Sequence, residues 1–218
     1  EIEFIGGLMD DPKKPFVAVL GGAKVSDKIA VLESLVNRCN KMCIGGAMAY
    51  TFLAAQGIDV GKSKVEKDSL ETAKRILAQA ETAKCELLLP IDHVVNASFD
   101  STDAPSIVTT IGPEQAGFDI GPKTIERFAN VLGSAGSVFW NGPMGVFEKP
   151  MYAAGTKAVA TAMTESKAVT VVGGGDSAAA IREFGFDDKV THVSTGGGAS
   201  LEMVEGKKLP GIEVLRVL

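Results

Sequence analysis

The sequence predicts an α/β domain: a parallel sheet of about six strands, wound with helices on both faces and carrying a small antiparallel excursion. Three observations predict it. Short, solidly apolar runs alternate with longer helical stretches along the chain. Strands that read as unbroken apolar runs are buried on both faces, as in parallel sheets. Five of the six runs lead into a glycine-rich turn.

The apolar runs are residues 16–20, 42–44, 86–89, 137–140, 169–172 and 190–193. Helical stretches lie between them, at 28–37, 48–56, 65–84, 123–132, 152–164, 177–183 and 199–204. Such alternation implies right-handed crossovers and a doubly wound sheet. Ser26 or Asp27 is placed to cap the first helix, and Pro122 stands where another begins. One segment breaks the rhythm. Residues 93–111, HVVNASFDSTDAPSIVTTI, hold two β-rich runs around a polar turn, read as an antiparallel excursion at the sheet edge.

At the amino end, EIEFIGGLMDDP resembles the tail of an amphipathic helix, with Ile2, Ile5, Leu8 and Met9 at helical spacing. Residues 1–15 are therefore read as the end of an inter-domain helix or linker, and 16–218 as a single domain cut from something longer. The tail at 212–218, IEVLRVL, is apolar and needs a partner surface.

A net charge of −5 over 218 residues argues against a nucleic-acid or membrane-surface partner. No apolar run reaches membrane-spanning length and no signal peptide is visible, so the expected place is the cytoplasm. The three cysteines, Cys39, Cys43 and Cys85, are an odd set without framework spacing, and suit a reducing compartment as packing residues. His93 and His192, the two histidines, are read as structural.

In a parallel sheet the glycine turns share one edge, where ligands of open α/β sheets bind. The turns are Gly21-Gly22, Gly45-Gly46, Asn141-Gly142-Pro143, Gly173-Gly174-Gly175, and Ser194-Thr195 followed by Gly196-Gly197-Gly198. Glycine lets a ligand meet bare backbone, and the helix starts that follow offer free N–H groups and partial positive charge. That combination suits a phosphate. Gly173, Gly175 and Ala178 fit a dinucleotide fingerprint, but its confirming acid should stand about 20 residues on. Ser194 and Thr195 occupy that strand end. The carboxylate is instead within the loop, at Asp176. Beside a phosphate it calls for an intervening cation, which points to Mg²⁺ on a nucleotide.

Lys24 and Lys28, four apart around a helix start, supply compact ammonium charges for phosphoryl oxygens. Asn141 stands at a strand end with an amide able to donate to an anion, and Glu148 follows a turn where it can accept from ribose hydroxyls. The segment GIDVGKS at 57–63 resembles a phosphate loop but is one residue short and follows a helix, so it is set aside.

Together LGGAKVSDKI, WNGPMGVFE, GGGDSAAA and STGGGASLE, in this order, resemble the carboxyl-terminal, nucleotide-binding half of the phosphoglycerate kinases. The likeness runs from Phe16 to about Ile212. It implies a Rossmann-like fold, ATP or ADP with Mg²⁺ as cofactors, and phosphoryl transfer in glycolysis between 1,3-bisphosphoglycerate and ADP. It implies the following roles. Lys24 and Lys28 meet the phosphates, Gly21, Gly22, Ala23, Gly45, Gly46 and Gly117 border adenine, and Pro143 and Val146 flank adenosine. Glu148 holds the ribose, Asn141 reaches the phosphate end, and Gly174, Gly175, Asp176 and Ser177 bind phosphates, with Asp176 on the metal. Gly197 aims a helix start at the moving group; with Lys24, Lys28 and Gly174 it completes the implied catalytic set. The 3-phosphoglycerate partner would bind only through an amino-terminal domain absent from these residues, so the expectation is a monomer that binds nucleotide with negligible turnover. Two other readings, an NAD-binding oxidoreductase domain and a non-catalytic nucleotide-binding module, are disfavoured by the missing ribose acid, the paired lysines and the many glycines at one edge.

Overall fold

In a computed structural model, residues 2–207 are described. A wide helical turn at Ile2–Gly6 continues into α1, Gly7–Asp10. β1 (Phe16–Leu20) leads through a 3-10 turn at Ser26–Lys28 into α2 (Ile29–Val36). β2 (Lys41–Ile44) is followed by α3 (Met48–Ala55) and α4 (Leu70–Ala83), and β3 (Glu86–Leu88) by β4 (His93–Asn96), β5 (Ser106–Val108) and β6 (Ala116–Ile120). Then come α5 (Pro122–Gly133), β7 (Ser137–Asn141), α6 (Ala154–Glu165), β8 (Val169–Val172), α7 (Gly175–Glu183), β9 (His192–Val193) and α8 (Gly198–Val204).

The main sheet has six strands in the order β3-β2-β1-β7-β8-β9, and all five pairings are parallel. The chain builds outward from β1 through β2 to β3, then returns to the other side of β1 for β7, β8 and β9. The order reverses between β1 and β7, which is the switch point where such sheets open a ligand crevice.

The expected burial on both faces is visible within β1, whose five residues are all buried. Phe16, Ala18 and Leu20 pack into one core with Leu32 and Leu35 of α2, Phe52 of α3 and Ile76 of α4. Val17 and Val19 pack into a second core with Phe128 of α5, Val159 of α6 and Ile181 of α7. Alternate residues of one strand thus serve opposite layers. Ile5 and Leu8, in the segment read as a helix tail, are buried in the first core. The apolar tail at 212–218 lies outside the described residues.

The excursion is antiparallel, as expected, and forms a three-stranded sheet in the order β5-β4-β6. Its third strand, AGFDI, was not among the expected runs, because Gly117 and Asp119 interrupt it. Both are accommodated by specific partners. Asp119 is 1% exposed, and its carboxylate accepts the Gly155 amide at 2.7 Å and the Ile120 amide at 2.9 Å. The register slips between Val94 and Val95, which face Asp119 and Gly117 and leave Phe118 as the extra residue. A bulge of this kind re-aims a side chain.

Pro122 opens α5 after an extended Gly121, as its fixed φ favours. The cap expected at Ser26 or Asp27 does not form. Ser26 instead turns to the Glu66 carboxylate, its amide at 3.0 Å from Oε2 and its hydroxyl on Oε1. The three cysteines are buried and free, and burial raises each thiol pKa, which agrees with a packing role.

Candidate functional site at the switch point

Because the six strands are parallel, the glycine turns gather along one edge, as anticipated. The work their glycines do differs from the expectation of bare amides. The Gly21 amide donates to the Asn141 carbonyl at 2.9 Å, Gly22 to Pro143 at 3.0 Å, Gly45 to Leu20 at 2.8 Å and Gly46 to Met144 at 2.9 Å. A Cβ on Gly21 would come within 2.8 Å of the Gly142 oxygen. One on Gly46, whose φ is +66°, would come within 2.5 Å of the Gly22 nitrogen. The loops after β1, β2 and β7 cross in direct backbone contact, and glycine is what lets them cross. They form a floor bonded to itself.

Open amides lie further along the edge. Gly174, at φ +89°, turns the chain into α7, and the first-turn N–H groups of Gly175, Asp176 and Ser177 have no partner within the helix. Gly175 and Asp176 are exposed, while Ser177 is buried. Its Oγ accepts the Gly142 amide at 2.5 Å, tying α7 to the β7 turn. Gly197, at φ +53°, stands exposed at the head of α8, with open space around a Cβ there.

Lys24 and Lys28 part company. Lys24 is exposed, and Lys28 is partly buried. The Lys28 ammonium donates to the side-chain oxygen of Asn141 and, at 3.4 Å, to its carbonyl. Burial lowers the Lys28 pKa to about 8, with the charges of Asp176 and then Asp27 pulling the other way. The Asn141 amide group, expected to face an anion, donates to the Gly173 carbonyl at 2.7 Å. Asn141 therefore positions Lys28 against the loop after β8.

Above the floor opens a cavity of about 990 Å³. Of the anticipated residues, Gly22, Ala23, Gly46, Gly117, Pro143 and Val146 line it, and Glu148 and Asp176 stand in its wall. Gly21, Lys24, Lys28, Gly45, Asn141, Gly174, Gly175, Ser177 and Gly197 are not in its lining. Asp176 is the expected metal residue; among the described residues no group of three or more His, Cys, Asp or Glu side chains forms a metal cage.

Several lining residues escaped the sequence. Tyr50, in the apolar run of α3, reads as core, yet a Cβ on Gly117 would meet its ring within 2.8 Å, and the pair forms one wall. Phe99, Phe118 and Lys149 come from loops and a bulge that no spacing rule marks. Lys62 and Lys64 come from the segment at 57–63 and its neighbour. That segment does follow a helix, α3, and packs against the segment leading into β6. Gly61, at φ +56°, crosses against Gln115, the Lys62 amide donates to the Gln115 carbonyl at 2.8 Å, and Ser63 Oγ accepts the Gly117 amide at 2.9 Å. It braces β6 and sets two lysines in the cavity wall.

Neither histidine lines the cavity. His93 is buried in β4 with its ring 5.5 Å from that of Tyr50, and burial lowers its pKa. His192 stacks on Phe4 at 4.8 Å.

Fold and site together define an open, doubly wound α/β domain with a ligand crevice at its switch point. A family model described as phosphoglycerate kinase matches residues 1–207. A phosphoglycerate kinase of Anaeromyxobacter sp. (strain Fw109-5) is 56% identical over 99% of this chain and 55% of its own length. Among solved structures, the phosphoglycerate kinase from Coxiella burnetii superposes with a TM-score of 0.95 at 39% identity, covering 98% of this chain and 56% of that one. The enzyme from Pyrococcus horikoshii OT3 gives 0.86 at 32% identity, covering 99% and 55%. The chain belongs to the phosphoglycerate kinase family, and spans about 55% of the length of the curated relative it matches.

Proposed function

We propose that this chain is the nucleotide side of a phosphoglycerate kinase, binding ADP or ATP with Mg²⁺. The observation that carries the reading is the partly buried Lys28, held by Asn141 at the end of β7 and within electrostatic reach of Asp176 at the start of α7. A cation and a row of first-turn amides suit a polyphosphate tail, and the cavity beyond them suits a nucleoside. Glu148 is assigned to the ribose, Pro143 and Val146 to the flanks of adenosine, and Lys24 to the outer phosphates.

Asp176 fits a nucleotide-borne Mg²⁺. A lone carboxylate at a helix start repels a phosphate unless a cation lies between, and Mg²⁺ is commonly held by one or two carboxylates plus substrate phosphates. When bound, the ion neutralises charge on the phosphate oxygens.

In the family reaction a terminal oxygen of ADP forms a bond to the phosphorus of the acyl phosphate. The bond from that phosphorus to the carboxyl oxygen breaks, leaving 3-phosphoglycerate and ATP. The transition state spreads charge over the equatorial oxygens, so positioning and electrostatics do the catalysis. Lys28, Lys24 and the amides at Gly174–Ser177 are assigned that role, with Gly197 directing the head of α8 towards the moving group. The phosphoglycerate side is assigned to the remaining length of the relatives. A glycolytic role in the cytoplasm as a monomer, without nucleic acid or membrane, completes the proposal; among the described residues no helix is long and apolar enough to cross a membrane.

Calorimetric titration with Mg-ADP tests it. The expected dissociation constant is on the order of 0.1 mM, about −5.5 kcal/mol, with adenosine alone binding more weakly. Asp176→Asn should blunt the Mg²⁺ dependence of the affinity. Binding of NAD without ADP would favour the oxidoreductase reading, and silence towards both would leave a scaffold. In a coupled assay these 218 residues should show negligible turnover, because the second reactant is not held in line.

A further inference from the structure

One side chain bridges the mouth of the cavity. Lys149 follows Glu148 on the loop that leaves β7, and that loop is tied to β6 by the Val146 amide on the Phe118 carbonyl at 2.9 Å. Across the mouth stands the loop after β4. Its base is stitched by Asn96, whose amide group donates to the Asp103 carbonyl at 2.9 Å. At its tip Phe99 lines the cavity while 48% exposed. The Lys149 ammonium sits 3.6 Å above the centre of that ring. It also donates to the Phe99 carbonyl, with the Asp100 carboxylate 4.0 Å away. The Phe118 ring meets Phe99 edge-on at 6.2 Å.

A cation over a ring face, bonded to the same residue's backbone, fixes both the ring and the loop carrying it. Besides that cation, the Phe118 edge contact and the loop's own stitches hold the β4–β5 segment. Phe99 and Glu148 stand in the same wall system as Val146, so whatever fixes Phe99 also fixes the nucleoside end of the cavity.

We propose that Lys149 is a positioning residue: it pins Phe99 across the cavity mouth, so that the loop after β4 walls the nucleoside end and slows ligand release. The release part rests on the nucleotide reading; the pinning part does not. Lys149→Met keeps the stem and removes the charge, Lys149→Arg restores a cation, and Phe99→Leu removes the ring face.

Stopped-flow displacement of a fluorescent ADP analogue from the chain, with Mg²⁺ present, reads the release. Lys149→Met and Phe99→Leu should each speed dissociation about threefold to tenfold, with association within about twofold of the parent, since mutational effects fall chiefly on dissociation. The double variant should be no faster than the worse single one, and Lys149→Arg should return to the parent rate. An unchanged dissociation rate in Lys149→Met, or fully additive effects, would overturn the release role. Hydrogen exchange of amides 98–103 in the ligand-free protein reads the pinning alone. Lys149→Met should exchange there about threefold to tenfold faster, with the rest of the chain unmoved, and equal protection would overturn the pin. A parent that bound no nucleotide yet lost this protection on mutation would sink the nucleotide reading and the release role while upholding the pin.

Discussion

The ammonium of Lys28 rests on the side-chain oxygen of Asn141, whose amide group holds the Gly173 carbonyl at 2.7 Å. Two residues 113 apart in sequence thereby join the turn before α2, the end of β7 and the glycine loop after β8. The charge offered to a ligand at this point is set by its burial.

A pH dependence follows. Burial draws the Lys28 pKa down to about 8, against the pull of Asp176 and Asp27, while an unfolded lysine titrates near 10.4. The ligand-free fold therefore loses this charge as pH rises through about 8, and its stability gains with pH between about 8 and 10.4 because the unfolded chain keeps its proton longer. A polyphosphate restores the charge on binding, so binding takes up a proton. The affinity for Mg-ADP should fall about tenfold between pH 7 and pH 9. Lys28→Arg, which stays charged throughout, should give a flat profile by isothermal titration.

Asp119 supplies a second profile of opposite sense. Burial raises its pKa to about 7 in spite of amide bonds from Gly155 and Ile120; unfolded, it titrates near 3.9. Between those values the folded chain holds the extra proton, so stability falls as pH rises from about 4 to 7 and levels off above. Asp119→Asn should remove that slope in urea unfolding followed from pH 4.5 to 8. It should also lower stability by about 1–3 kcal/mol at low pH, because its NH₂ faces a backbone donor where an oxygen stood.

The glycines of the floor and of the α7 entrance should respond in opposite ways. Gly21→Ala drives a methyl towards the Gly142 oxygen and the tip of Met144, and should cost about 2–4 kcal/mol in thermal unfolding. Gly175 has open space around a Cβ. Gly175→Val should leave the melting temperature within a few degrees while weakening Mg-ADP, since the added bulk stands beside the first-turn amides. A folded Gly21→Ala protein of unchanged melting temperature would contradict the crossing described here.

Much of this was legible in the sequence, and the reasons are local. FVAVL is an unbroken apolar run, and VTVV nearly one, because both faces of their strands are buried, and runs of that kind admit few other readings. The shared edge followed from parallel pairing alone. What stayed hidden depends on contacts distant in sequence. AGFDI does not read as a strand until the amides of Gly155 and Ile120 are seen to satisfy Asp119. Tyr50 reads as core until Gly117 is found against its ring. Gly21 and Gly46 were expected to border a ligand; what the structure gives them is a role the sequence does not reveal, letting loops from three strands touch.

The self-bonded floor has a bearing on how such a site can change. Its atoms hold the seam of the sheet together, so altering them damages the scaffold along with the ligand contacts. Phe99, Lys149, Lys62 and Lys64 stand around the opening on loops outside the six-stranded sheet. Retuning of ligand preference, by selection or by design, has its free ground on that outer ring, while the seam stays as it is.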